Sequence, residues 1–289
     1  MKKYLILIVL LLLIIEVKAK SFYTIIDDDA SSAESITTIK NICDNKDIKI
    51  SFAVIARNLQ LNKEVKDSLI SFQKQGFHIC NHSLTHSREV WEGGNYALIN
   101  AELKDSQHIL DSLGFVNNNY FVYPYGRFSE EKYLKILPYI KEHNYKLAFN
   151  SRGDECNQDD FNKFYINRFP IRRHENISVV KYKIDRAIAN NSWIVFLTHS
   201  AMSRDFSSEY LSEVIDYCKE RNLPCLTVDE AYKYISQKGE NNKIHEWRNI
   251  DELYLMVEMH IIYILAMLLV VTVIVAIFIY RRRRAENNL

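Results

Sequence analysis

The run Gly76-Phe77-His78-Ile79-Cys80-Asn81-His82-Ser83-Leu84-Thr85-His86 places two histidines, His82 and His86, four residues apart. On a helical turn that spacing lets both imidazoles face one way and bind a single metal ion. Upstream, Asp27-Asp28-Asp29 closes a short apolar run. The triplet reads either as a solvated turn or as the source of one carboxylate. One carboxylate and two histidines leave open positions for water and substrate, which suits a hydrolytic metal such as zinc. The same trio also occurs in non-haem iron oxygenases, which the helix-rich pattern below does not favour. Two further places carry chemistry. Phe121-Val122-Tyr123-Pro124-Tyr125-Gly126 ends in a turn that either reverses the chain or aims a backbone N–H at a substrate oxygen. Trp193-Ile194-Val195-Phe196-Leu197-Thr198 is an apolar run that delivers His199 at its tip.

These residues need elements to position them, and the middle of the chain alternates strand with helix. Strands are expected at 22–27, 48–55, 77–80, 120–123, 146–150, 164–168, 193–198 and 225–228, by β-rich composition bounded by turn residues. Helical spacing is expected at 35–43, 63–75, 96–113, 130–143, 177–189, 208–221 and 229–237. Such alternation implies parallel βαβ units. About seven of them in one domain predict an α/β fold, a distorted (β/α) barrel, with chemistry at the carboxyl ends of the strands. All four polar places named above stand at expected strand ends.

The two ends of the chain read differently. Lys2 and Lys3 precede an apolar run from Tyr4 to Ile15, and Val17 and Ala19 fit the small-residue rule of signal peptidase, so 1–19 is expected to be a cleaved signal peptide. Ile261 to Tyr280 carries no charge over a length that spans ~30 Å of hydrocarbon as a helix. Arg281 to Arg284 follow it and mark a cytoplasmic flank. The expected layout is a globular domain over 20–240, a juxtamembrane segment over 241–258, one transmembrane helix over 259–280 and a basic tail over 281–289. This predicts a single-pass cell-membrane protein with its domain on the extracytoplasmic side and its C-terminus in the cytoplasm.

The whole chain has Lys+Arg 37 against Asp+Glu 36, but much of the positive charge sits at the ends. The middle is mildly acidic, which excludes a phosphate backbone as an expected partner: no nucleic acid. Of the five cysteines, Cys43 and Cys80 read as core positions, and Cys218 with Cys225 are close enough in sequence for a local bridge.

Together these motifs resemble the polysaccharide deacetylases, carbohydrate esterase family 4. Ile25-Ile26-Asp27-Asp28-Asp29 looks like the family's T-F-D-D-G, and Gly76 to His86 is similar to its G-H-E-I-G-N-H-[ST]-x-x-H. Tyr123-Pro124-Tyr125-Gly126 resembles R-x-P-Y-G, and Phe196-Leu197-Thr198-His199 resembles the closing L-x-H. The resemblance implies that Asp27 is the general base, His199 the general acid, and Asp28, His82 and His86 the ligands of a divalent metal ion, most often zinc. It further implies that the Tyr125 N–H serves an oxyanion hole and that Leu197 lines the pocket for the acetyl methyl. The implied activity is removal of N-acetyl groups from an extracytoplasmic polysaccharide, with an N-acetylated glycan as partner.

Two departures stand out. Asp29 occupies the glycine of the first motif, so the register can slide by one, making Asp28 the base and Asp29 the ligand. Val122 stands where the third motif often has arginine, and Arg168, in Ile166-Asn167-Arg168-Phe169-Pro170, is the candidate to orient the base instead. These departures also leave open a membrane-anchored carbohydrate-binding protein without catalysis on the same fold.

Overall fold

The computed structural model describes residues 21–126, 129–151 and 161–237. Contacts divide the chain into Met1–Ile244 and His245–Leu289, and every described residue belongs to the first unit. The expected signal peptide, the apolar run at 259–280, the basic tail and Cys156 lie outside the described residues. Among the described residues, no helix is long and apolar enough to cross a membrane.

Seven parallel strands form one sheet: β1 (Phe22–Asp27), β2 (Ser51–Val54), β3 (His78–Asn81), β4 (Tyr120–Val122), β5 (Leu147–Phe149), β6 (Phe169–Pro170) and β7 (Trp193–Thr198). Their spatial order is β5-β4-β3-β2-β1-β7-β6. The sheet curls on itself, because the segment leading into β6 also reaches the far edge strand. Ile166 forms a parallel bridge with Phe149, and Phe169 and Pro170 pair with β7. The result is the expected distorted barrel of seven strands.

The sequence places strand 164–168 a few residues early. Its backbone hydrogen bonds go to β5 at Ile166 and to β7 only from Phe169, and Arg168 sits between the two ladders. The strand expected at 225–228 shrinks to a single bridge, Tyr23↔Cys225. A capping box ends it: Glu230 accepts hydrogen bonds from the N–H and hydroxyl of Thr227 at 2.8 and 2.9 Å, which starts the helix Val228–Gln237.

Side chains alternate across the strands and build two different cores. From β1, Tyr23 and Ile25 join Ile50, Phe52, Phe196 and the helix-facing cluster outside the barrel. Phe22 and Ile26 join Ala53, Cys80, Val122, Phe149, Trp193 and Val195 inside it. The helices of the outer layer are α1 (Ala33–Asn45), α2 (Ala56–Leu61), α3 (Lys63–Lys74), α4 (Arg88–Trp91), α5 (Tyr96–Ser112), α6 (Glu130–Glu142), α7 (Ile177–Ala189) and α8 (Ser208–Glu220). A ninth, α9 (Val228–Gln237), presents Val228, Ala231 and Ile235 to the interior cluster. Cys43, Cys80, Cys218 and Cys225 are all free thiols, so the local bridge that the spacing of the last two allows is not formed.

Candidate active site

At the carboxyl ends of the strands a cleft of about 240 Å³ opens, lined by Asp28, Asp29, His82, His86, Tyr125, Arg168, Leu197 and His199 among others. The barrel therefore brings together every residue singled out in the sequence except Asp27.

The period-two alternation of β1 explains the exception. Asp27 continues the parity of Tyr23 and Ile25 and faces the outer layer, whereas Asp28 continues that of Ile26 and faces the interior. Asp27 is fully buried and spent on Ser200, accepting from its N–H at 2.7 Å and its hydroxyl at 2.6 Å. Burial raises its pKa to about 8 despite those two hydrogen bonds. A carboxyl so placed does not reach the cleft, and the expectation that Asp27 is the base is corrected.

Asp28 is held by Arg168 in a bidentate pair, Nη1 to Oδ1 at 2.6 Å and Nη2 to Oδ2 at 2.9 Å. Arg168 in turn donates Nε–H to the Asn150 carbonyl at 2.7 Å. Burial alone would push the Asp28 carboxyl up, but the guanidinium, aided by His82, holds it below the usual carboxylate range. Asp28 is thus a base candidate favoured in its ionised form, with Arg168 as its orienting cation. The expectation for Asp28 as metal ligand is corrected as well, since both of its oxygens are engaged by arginine.

The carboxylate that groups with the histidines is Asp29, whose ligand atom lies with those of His82 and His86 inside a 4.8 Å span. Asp29 Oδ1 is 3.5 Å from His82 Nε2 and 3.7 Å from His86 Nε2, and it is buried without a hydrogen-bond partner. His82 donates Nδ1–H to the Val122 carbonyl at 2.8 Å, which fixes the tautomer and leaves the Nε2 lone pair facing the cluster. Burial lowers the His82 pKa against the pull of Asp28 and Asp29, favouring the neutral, ligating form. An orphaned buried oxygen beside two imidazole nitrogens fits a divalent cation. This is the second of the two registers the sequence allows.

His82 and His86 are not on a helical turn. Residues 82–87 form an irregular loop in which Ser83 and His86 have φ of 73° and 56°. Asn81 Oδ1 accepts the Ser83 N–H at 2.9 Å and Ser83 Oγ accepts the His86 N–H at 3.1 Å, so side chains replace the helical bonds. Glu102 of α5 completes the support. It accepts the N–H groups of Leu84 and Thr85 at 3.0 and 2.9 Å, as well as the Thr85 hydroxyl. The sequence did not single out Glu102. A buried acid on the apolar face of an amphipathic helix was its only signal.

Left-handed backbone recurs around the cleft: Asp29, His86 and Tyr125 have φ of 56°, 56° and 59°. Such outliers concentrate where surrounding structure enforces them for function. Tyr125 packs its ring 4.5 Å from that of His86 and donates its hydroxyl to the His86 carbonyl at 3.1 Å. Its N–H makes no hydrogen bond among the described residues. Gly126 is required next to it, because a Cβ there would meet Ser151 N at 2.5 Å. Leu197 is buried in the wall, and His199 Nε2 stands 4.0 Å from one oxygen of Asp28 and 4.0 Å from one of Asp29.

The family model described as polysaccharide deacetylase matches residues 15–148. Over that stretch, somewhat less than half of its length, the chain is similar to the polysaccharide deacetylases. That family comprises hydrolases of N-acetyl amide bonds, so the expectation of an amide hydrolase is met at the level of the family. Solved structures share the fold. The CE4 domain of a multidomain xylanase from the hindgut metagenome of Trinervitermes trinervoides is 19% identical with a TM-score of 0.52, covering 78% of this chain and 94% of that one. A mutant of a peptidoglycan deacetylase from Bacillus subtilis is 14% identical with a TM-score of 0.51, covering 76% and 93%. A CE4-family pseudoenzyme from Bacillus anthracis is 15% identical with a TM-score of 0.53, covering 74% and 66%. No curated protein sequence matches the chain. Where the family's third motif often has arginine this chain has Val122, and the cation that pairs with Asp28 is Arg168.

Proposed function

We propose that the chain is a divalent-metal-dependent N-deacetylase of an N-acetylated glycan, tethered to the cytoplasmic membrane with its domain outside. The supporting observation is one cleft that holds Asp29, His82 and His86 together with an Arg168-held Asp28 and with His199. The tether and the side of the membrane rest on the apolar and basic ends of the sequence.

Asp29, His82 and His86 would hold the ion, with zinc the best match to two imidazoles and a carboxylate. When bound, such an ion polarises the amide carbonyl and acidifies the attacking water. Asp28 receives the water's proton as the C–O bond forms, and Arg168 keeps that carboxylate ionised and aimed. The Tyr125 N–H donates to the oxygen that gains negative charge. His199 gives a proton to the nitrogen as the C–N bond breaks, since an amine anion is too basic to leave. Leu197 receives the acetyl methyl. The products are acetate and a free sugar amine, so the glycan gains positive charge.

The alternative is a non-catalytic binding protein; what supports the catalytic reading against it is that Asp29 lies with His82 and His86 and that Arg168 pairs with Asp28. The test is acetate release from N-acetylglucosamine oligomers and from cell-wall and exopolysaccharide preparations by the full-length protein in detergent. Release is expected to vanish with chelator and return with zinc. A folded, zinc-loaded protein that releases no acetate from any of these substrates would instead be a glycan-binding protein.

A further inference from the structure

His199 lacks what a proton-donating histidine ordinarily has, a partner that orients its ring. Neither ring nitrogen makes a hydrogen bond among the described residues, and the two nearest carboxylate oxygens are each 4.0 Å away. Its side chain is 26% exposed, so packing does not enclose the ring either. The orientation must therefore come from the backbone.

That backbone is pinned on both sides of His199. Thr198, before it, ends the β1–β7 ladder opposite Asp27, and its carbonyl accepts the Asp28 N–H at 2.9 Å. Ser200, after it, gives both its N–H and its hydroxyl to the Asp27 carboxylate, at 2.7 and 2.6 Å. Asp27 and Ser200 are both buried. They meet on the outer side of the two strands, while Asp28 and His199 line the cleft. We propose that Asp27 is a positioning residue, which sets the His199 imidazole by clamping Ser200 to the strand that carries Asp28 and Asp29. The base, the metal-ligating carboxylate and the acid then share one rigid reference, the end of β1. This role rests on the reading of His199 as the acid, but the clamp itself does not.

In the full-length protein, Asp27→Ala is expected to lower kcat by about 10- to 100-fold, the scale of a small misplacement of a catalytic group. KM and zinc affinity are expected to stay within about threefold, because the displaced ring binds neither substrate nor ion in the ground state. Asp27→Asn, whose amide can accept from the N–H and donate to the hydroxyl oxygen, should recover kcat to within about threefold of wild type. Ser200→Ala, which removes one oxygen and is the milder change should Asp27→Ala fail to fold, should fall between them. Adding Ser200→Ala to Asp27→Ala should cost nothing more, as expected for two halves of one contact. An unaltered kcat in both single variants, a loss confined to zinc affinity, or an Asn variant no better than the Ala variant would each overturn the proposal. Amide hydrogen exchange gives a readout independent of activity. Residues 199–202 are expected to lose protection in Asp27→Ala and Ser200→Ala, and unchanged protection there overturns the clamp. A wild-type protein that releases no acetate refutes the deacetylase reading, whereas intact exchange protection in the variants refutes this one.

Discussion

Arg168 and Asp28 meet through two parallel N–H···O bonds of 2.6 and 2.9 Å, both side chains almost wholly shut from solvent. This geometry is worth most when both partners are present. Removing the cation leaves a buried carboxylate unpaired, at a cost of about 3–5 kcal/mol in comparable cases. Arg168→Gln is therefore expected to lower the unfolding midpoint in urea. It should also shift the acidic limb of the pH–rate profile upward. With the guanidinium present the Asp28 carboxyl ionises below the usual range, so the base is available at all pH values above that point. Without it, burial dominates and ionisation moves to higher pH. A profile whose acidic limb stays in place would remove Arg168 from its assigned role.

Asp28 and Asp29 are adjacent yet should fail differently. Asp29→Asn is expected to weaken zinc binding by at least about tenfold, together with His82→Ala and His86→Ala, because each loses a ligand. Asp28→Asn should retain zinc within a few-fold while kcat drops by about 10² or more, as for loss of a general base. Calorimetric zinc titration alongside acetate release separates the two, and reversed outcomes would restore the first register.

Glu102 touches no reacting group, but three donors of the 84–85 turn converge on it. Glu102→Leu leaves those partly buried donors without their acceptor, costing at most about 1–3 kcal/mol each. Zinc affinity should fall by about 10-fold through loosened His82 and His86, the usual scale for a ligand-supporting contact. Melting curves with and without zinc would detect both effects, and an unchanged metal-induced shift would count against it.

At the opposite end of the strands, His78 is buried against the Tyr120 ring, their centroids 5.1 Å apart. Burial lowers its pKa to about 4 from 6.5, with Asp229 pulling the other way. The unfolded chain therefore binds a proton that the folded one refuses between these values. Stability is complete above about pH 6.5 and is lost as pH falls toward 4, by up to about 1.4 kcal/mol per pH unit. Urea midpoints of wild type and His78→Gln between pH 7 and 4.5 should converge on acidification. Parallel curves would assign the acid sensitivity elsewhere.

The long elements were legible in the sequence because their burial pattern is local. Helices such as Ile177–Ala189 and Lys63–Lys74 show the 3.6-residue apolar spacing at full length. Ala56–Leu61 and Arg88–Trp91 were not foreseen, since six and four residues are too few to show a period. The aspartate register was missed for a different reason. Tyr23, Ile25 and Asp27 form one parity and Phe22, Ile26 and Asp28 the other, but all of the strand's apolar residues are buried, so alternation alone does not say which face is inside. His82 and His86 were read as a pair on a helical turn; they do stand together, but on a loop shaped by the side chains of Asn81 and Ser83 and by Glu102, sixteen or more residues away in the chain.

The cylinder is not equally strong all the way round. Between β5 and β7 its wall is a two-residue strand and the irregular segment before it, fastened to β5 by three backbone hydrogen bonds at Ala148 and Asn150. Arg168 belongs to that segment, and Asp28 directly follows β1, which pairs with β7 along its whole length. The ion pair between them is thus a latch across a seam. Whatever neutralises Asp28, whether acid or a proton taken during turnover, slackens the same joint that keeps the barrel shut, so the chemistry of the site and the closure of the fold are fastened by one clasp.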